Sequence, residues 1–299
     1  MNGFDIDCEL NYDVLEPSVF LFNIEAARGS GQRILREHFS TQPAIILDQY
    51  TDTVGNRCTR LNAQPGSLSV RYTATVAMET EPIPQDSGKT SVACLPPTVM
   101  PFLLSSRYCE SDLLFSLAAR RFGALNSSYE QVLAICEWIR ANIDYQIGTS
   151  ITHGTARDVL LHRTGVCRDF AHVAIAFCRA LNIPARFVTG HVEWDVPPPD
   201  FHAIFDAYLG GRWVPFDPTA MASTQSIVRI GAGRDAADVA FATIFGRANM
   251  ARMNPITRMM SAEEIEHALM STPRVIQMQA REAFDGQSKI RAKSSATFI

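Results

Sequence analysis

From Ser67 to Met78 the chain alternates with a period of two. Leu68, Val70, Tyr72, Ala74, Val76 and Met78 fall on one side, and Ser69, Arg71, Thr73 and Thr75 on the other. Successive side chains of a strand point to opposite faces, so this pattern requires a sheet with one buried and one wetted face. A chain that carries such a strand cannot be a simple helical bundle. Phe20, Phe22 and Ile24 repeat the alternation over a shorter span, Ala44 to Leu47 is a short apolar run, and Pro65-Gly66 supplies a turn before the long strand. No cluster of titratable side chains stands out in this first third, which reads as a supporting, sandwich-like β domain. Between Glu81 and Pro101 come five prolines (82, 84, 96, 97 and 101), which lack the N–H that a ladder needs and suit a linker. The boundary falls near Leu104, which makes residues 1–104 an N-terminal β-rich domain.

Beyond the linker the period changes. Ser111-Asp112 can cap a segment with Leu113, Leu114, Leu117 and Ala118 on one stripe. Ser127 with Glu130, or Ser128 with Gln131, spells a capping box ahead of Val132, Ile135, Cys136, Ile139 and Ile143 at helical spacing. Thr155 and Asp158 suggest another cap, and a fourth helix is predicted from about Val166 to Leu181, stopped by Asn182 and Pro184. Extended segments follow over Ala185 to Trp194, Phe201 to Leu209 and Arg212 to Phe216. Helices first and strands after them give an α+β core over residues 105–250. Arg229 to Arg234 reads as a turn, with Arg229, Arg234 and the Asp235–Asp238 pair as its local ion pairs. The apolar run Val239 to Phe245 follows. Ser261 with Glu264 caps a helix through Met270, so residues 251–299 read as a helical extension ending in a polar, frayed tail.

Composition removes several classes of function. At 299 residues, 46% hydrophobic and 19% charged, the chain is too apolar for disorder and long enough to bury a sizeable core. The 27 basic and 31 acidic residues contain no long basic run, which argues against a nucleic-acid partner. No stretch of 18 apolar residues is present to span a membrane. Met1 to Leu10 holds Asp5, Asp7 and Glu9 without a basic flank and so does not read as a signal peptide. The seven cysteines (8, 58, 94, 109, 136, 167 and 178) are odd in number and form no CxxC pair. That argues against a disulfide framework or structural zinc and for a reducing cytoplasm. No cofactor or metal is expected, because His153, His162 and His191 lack ligand-motif spacing and no acidic loop has the spacing of calcium ligands.

The segment Gly165-Val166-Cys167-Arg168-Asp169-Phe170-Ala171-His172 places Cys167 in the first turn of the fourth helix. Unpaired N–H groups and the positive end of the helix dipole favour an anion there, and the thiolate is the nucleophilic form of cysteine. Asp169 acts in the opposite sense. Taken alone, Cys167 reads more readily as a small buried hydrophobe, the usual place of a free cysteine, than as a nucleophile. The hairpin downstream changes the balance. Gly210-Gly211 suits a two-residue turn, which sets Leu209 opposite Arg212, Tyr208 opposite Trp213, Asp206 opposite Pro215 and Ile204 opposite Asp217. His202 is then one diagonal step from Asp217 on the same face, about 7–8 Å away along the backbone and within reach of one hydrogen bond. Phe201, Ala203, Phe205, Ala207, Leu209, Val214 and Phe216 form the opposite, core face, which leaves the polar pair on a face free for a cleft. A cysteine at a helix start with a histidine held by an aspartate is the equipment of covalent acyl transfer. The backbone N–H of Cys167 is one oxyanion donor, and the second is not assigned. His172 and Cys178, further along the same helix, read as core residues.

At these residues the chain resembles the transglutaminase-like superfamily of cysteine enzymes. The matching elements are Gly165 to His172, then Leu181-Asn182-Ile183-Pro184-Ala185-Arg186-Phe187-Val188-Thr189-Gly190, then Phe201-His202-Ala203, and Trp213-Val214-Pro215-Phe216-Asp217-Pro218-Thr219. The resemblance implies a papain-related core with Cys167 as nucleophile, His202 as base and Asp217 as the orienting acid. It also implies that the β-rich first third is the extra domain of many bacterial members. One departure is Ile204, where many relatives carry tryptophan, so an aromatic wall of the cleft is missing or comes from Trp194 or Trp213. The expected activity is cleavage of a peptide or protein amide through a thioester. The alternatives are transamidation by the same three residues, and a binding module that keeps the fold without the chemistry.

Overall fold

The computed structural model describes every residue except 1, 30, 80–88, 90, 149–153, 195–198 and 272–299. The part of the expected linker that holds Pro82 and Pro84, together with His153 and the polar tail, therefore lies outside the described residues. In chain order the elements are β1 (Asn2–Val14), β2 (Ser18–Phe22), β3 (Gln32–Gln42), β4 (Asp48–Thr51), β5 (Arg57–Ala63), β6 (Gly66–Met78), α1 (Ser111–Phe122), α2 (Ser128–Asn142), β7 (Asp144–Tyr145), α3 (Ala156–His162), β8 (Thr164–Gly165) and α4 (Cys167–Ala180). There follow β9 (Ala185–His191), β10 (His202–Leu209), β11 (Arg212–Phe216), β12 (Val228–Gly233), β13 (Ala242–Phe245), β14 (Ala248–Met259) and α5 (Ala262–Ser271). The mixed α+β class and the β-rich N-terminal part are as anticipated.

Two four-stranded sheets, ordered β14-β1-β6-β3 and β13-β2-β5-β4, make a sandwich. Phe4, Ile6, Leu10 and Tyr12 of β1 and Leu68, Val70, Tyr72 and Val76 of β6 share one core with Phe20 and Phe22 of β2. The Tyr12 and Phe20 rings meet edge to face at 5.1 Å. The alternation read in β6 is thus real, and β1 carries the same pattern. There the outward positions are Asp5, Asp7, Glu9, Asn11 and Asp13, and arginines of neighbouring strands answer them: Arg71 Nε donates to Asp7 Oδ1 at 2.8 Å and Arg258 Nη2 to Asp5 Oδ2 at 2.9 Å. The apolar run Ala44 to Leu47 is coil leading into β4, an exposed strand.

The end of the chain departs from the sequence reading. Residues 251–299 do not begin as a helical extension. β14 runs antiparallel to the whole of β1, from Phe4 opposite Met259 to Val14 opposite Ala248, and β13 pairs with β2. An edge strand has one neighbour and tolerates both proline and a mixed pattern, so Pro255 and the irregular Met, Arg and Asn sequence of β14 hid it. The helix expected after Ser261 does form as α5, with Ser261 N–H donating to Glu264 Oε2 at 2.7 Å and Glu264 N–H to Ser261 Oγ at 3.3 Å. The chain therefore leaves the sandwich, builds the second core and returns.

That second core is the antiparallel sheet β11-β10-β9-β12 with α4 laid across it. Every residue of α4 from Asp169 to Ala180 is buried, and Val173, Phe177 and their neighbours pack against Phe187, Phe205 and Ala207 of the sheet and against α1, α2 and α3. The capping box of α2 closes as expected, Ser127 Oγ accepting from Glu130 N–H at 3.1 Å, and Thr155 N–H donates to Asp158 Oδ2 at 3.0 Å before α3. Ser111-Asp112 forms no cap, since α1 begins at Ser111 itself. The hairpin register is as derived: Phe205 faces Phe216, Asp206 faces Pro215 and Leu209 faces Arg212.

The expected turn over Arg229 to Arg234 is instead strand β12, paired with β9. Its glycines lower strand propensity in the sequence, but the approach of the sandwich calls for one of them: a Cβ on Gly231 would stand 2.7 Å from Asn56 Oδ1. Asn56 also donates to Ala232 O at 3.0 Å and accepts from Ala232 N–H at 2.9 Å, which joins the two cores. Arg229 does not brace a local turn. Its guanidinium donates twice, at 2.8 Å each, to the fully buried Asp206, which also accepts from Arg186 Nε at 2.8 Å. The two cations hold the Asp206 carboxyl down to about 2 against the opposing effect of its burial. Arg234 and Asp238 do form the expected local pair. Replacing Asp206 with Ala strands two largely buried guanidinium groups, and a loss of about 3–5 kcal/mol is expected, read as a lower urea midpoint.

Candidate active site

Cys167 is the first residue of α4 and is half-buried. The two residues before it form β8, which pairs in parallel with β7, so the helix starts from an anchored strand. A Cβ on Gly165 would stand 2.7 Å from Cβ of Asp169, because Asp169 folds back over the helix start. Its Oδ2 accepts from Val166 N–H at 3.1 Å and its Oδ1 from Arg168 Nη2 at 3.0 Å. The carboxylate that seemed set against a thiolate is therefore spent on closing the helix end and pairing with Arg168.

His202 opens β10 and Asp217 follows β11 directly. The diagonal geometry read from the sequence holds, with His202 Nε2 3.0 Å from Asp217 Oδ2. Asp217 is itself fixed by the chain after it. Oδ1 accepts from the Thr219 backbone N–H at 2.8 Å and hydroxyl at 2.7 Å, and Oδ2 accepts from Ala222 N–H at 3.0 Å. Nδ1 of His202 is buried and has no hydrogen-bond partner, and the Cys167 thiol is a neighbouring group that interacts with the imidazole. Burial would depress the imidazole, but the bond to Asp217 and the neighbouring Cys167 outweigh it and push His202 up to about 9. Burial raises Asp217 in turn, and the histidine outweighs that, holding the carboxyl below its usual range.

The structure corrects one expectation about this face. It is not open. Val188, Val192, Ile204 and Ile227 form a small apolar cluster over it with Trp194, and His202 is only 1% exposed. Val192 and Trp194 after β9 and Ala222 and Ile227 after Asp217 pack on Val188 and Ile204, whose apolar side chains would otherwise be wetted. The place where relatives carry tryptophan is filled from elsewhere. The Trp194 ring stands edge-on to His202 at 5.2 Å, its Nε1 donating to Asp200 O at 2.6 Å. Trp213 lies apart, against Phe102 and Tyr208.

Tyr145 is a neighbour of Cys167 that sequence reasoning passed over. Its hydroxyl lies against both the thiol and the backbone N–H of Cys167. A lone tyrosine before a loop carries no periodic signal, and only the β7–β8 pairing brings it there. The other candidates lie away from the sulfur. His172 is stacked on Tyr108 at 5.1 Å with Nε2 accepting from Ala236 N–H, Cys178 is buried in the core, His162 bonds Asp158 O and His191 bonds Ile24 O. Among the described residues no three metal-ligating side chains come together, and no helix is long and apolar enough to cross a membrane.

Residues 116–218 match the model of the transglutaminase-like superfamily, and residues 2–96 match that of the bacterial transglutaminase N-terminal domain. A crystal structure described as a putative cysteine protease from Cytophaga hutchinsonii superposes with a TM-score of 0.80 at 40% identity, over 87% of this chain and 91% of that one. The chain belongs to the transglutaminase-like superfamily. An uncharacterized protein of Mycobacterium leprae is 26% identical over 70% of this chain and 79% of its own length. Uncharacterized proteins of Mycobacterium tuberculosis and Mycobacterium bovis are 30% identical over 43% of this chain and 46% of theirs. The superfamily match takes in Cys167, His202 and Asp217, and the second model covers β1 to β6 of the sandwich.

The pairing makes a prediction of sign and size. In Asp217→Asn the negative charge that raises His202 is gone while its burial stays, so the imidazole should titrate about 1–3 pH units lower, read by NMR on labelled histidine. A raised histidine stabilises the fold fully below its free value near 6.5, and that contribution is lost as pH rises through about 9. The stability advantage of the parent over the variant should therefore narrow across this window, measured as urea midpoints at successive pH values.

Proposed function

We propose that this protein is a cysteine-dependent enzyme that cleaves an amide bond of a peptide or protein through a thioester. The observation that carries the reading is the state of His202: Nε2 is held by Asp217, buried Nδ1 is left without a partner, and the thiol at the head of α4 neighbours the ring. Cys167 Sγ attacks the carbonyl carbon, its proton passing to or already held by His202. His202 then protonates the leaving amine, and water releases the acyl group from the sulfur. Asp217 keeps the imidazole oriented and stabilises its charged form. The upward displacement of His202 suits this work, since an imidazolium is ready to donate to the leaving amine. All seven cysteines are unpaired, which supports a reducing compartment such as the cytoplasm as the place of action.

The test uses a mixed peptide library in water enriched in oxygen-18. New carboxyl termini carrying the label are expected with the parent and absent with Cys167→Ala, while His202→Ala should be slower by about 10²–10⁴-fold. A primary amine added in excess distinguishes transamidation, which would place the amine rather than labelled oxygen on the acyl group. Iodoacetamide should modify Cys167 at neutral pH, and more slowly once His202 is replaced. Modification that ignores His202, together with no acyl transfer to water or amine, would reduce the protein to a binding module.

A further inference from the structure

One half of an oxyanion site is present in any cysteine at the head of a helix: its own backbone N–H. The other half must come from outside the helix. β7 pairs in parallel with β8, setting Tyr145 opposite Gly165, two positions before Cys167. The strand backbone is anchored there, Asp144 N–H donating to Arg163 O at 2.8 Å and Gln146 N–H to Gly165 O at 3.0 Å. The Tyr145 ring is held edge-on against Phe170 of α4, at 5.7 Å between centroids. Ring and helix start are thus fixed to each other, and the hydroxyl comes to the thiol and backbone N–H of Cys167.

We propose that Tyr145 is a catalytic residue whose phenol O–H, together with the backbone N–H of Cys167, binds the oxyanion of the tetrahedral intermediate. When Cys167 Sγ bonds to the carbonyl carbon, the carbonyl π pair moves onto oxygen, and the two donors stabilise that charge without giving up a proton. When the intermediate collapses, the pair re-forms the C=O bond and the C–N bond breaks. The proton for the amine comes from His202. Burial and the neighbouring Cys167 push the Tyr145 hydroxyl up, so it remains a donor throughout the neutral range. The inference rests on the acyl-transfer reading above.

Two probes of the same sulfur separate the roles. Iodoacetamide reacts by displacement and forms no oxyanion, whereas 4-nitrophenyl acetate acylates through one. Tyr145→Phe keeps the ring on Phe170 and removes only the donor. It should alkylate as the parent does and acylate about 10²–10³-fold more slowly. His202→Ala, the control, should slow both. Acylation of Tyr145→Phe at the parent rate or faster would overturn the assignment while leaving the enzyme reading intact. Loss of alkylation along with acylation would also overturn it, making Tyr145 a positioning residue for the sulfur. A parent whose Cys167 alkylates but is never acylated would remove the acyl-transfer reading and this inference with it.

Discussion

The candidate chemistry depends on the complete burial of one helix. From Asp169 to Ala180 α4 has no wetted face: the sheet covers one side and three helices the rest. A helix gripped all round cannot slide or roll without opening voids in a close-packed interior. Its first residue is therefore a fixed point, and Cys167 inherits that fixity although it is itself half-buried. The histidine and aspartate are placed by a different device, strand register. The two devices meet because the strands that carry His202 and precede Asp217 belong to the sheet on which α4 lies.

The sandwich is more than an appendage to this arrangement. His191, at the end of β9 and one position from the residue opposite His202, bonds Ile24 O of the sandwich and stacks on Tyr72 at 6.3 Å. Arg229 links Asp206 of β10 to the same border, where Gln32 donates to Arg229 O at 2.8 Å and accepts from its N–H at 2.9 Å. These bonds are buried or partly buried, and Arg229 is itself fixed by its charge-assisted pair with Asp206, so the strand that opens with His202 is braced from the far side by the N-terminal sheets. The return of β13 and β14 to the sandwich closes the chain around that border.

Local patterns carried much of this. The helices announce themselves by apolar spacing and by boxes such as Ser127 with Glu130, and the Gly210-Gly211 turn sets a register that holds to the residue. The His202–Asp217 bond followed from that register alone. Where the reading failed, the reason is physical. The alternation of β1 is as regular as that of β6, but its outward face is acidic, and the arginines that neutralise it lie on strands far off in sequence. β12 and β14 are edge strands, free to carry glycine, proline and mixed polarity, and so they give little periodic signal.

The amino-acid order by itself determined the helix that begins at Cys167, the hairpin that joins His202 to Asp217 and the kinship with the transglutaminase-like superfamily. All of these rest on interactions between residues near one another in the chain. Only the tertiary structure decided that Trp194 rather than Trp213 stands beside the imidazole, that the pair lies under an apolar cover, that Tyr145 reaches the sulfur and that the last strands complete the first sheet. Each of these is a meeting of segments separated by loops, whose relative placement is set by which apolar faces remain to be covered once the local elements have formed.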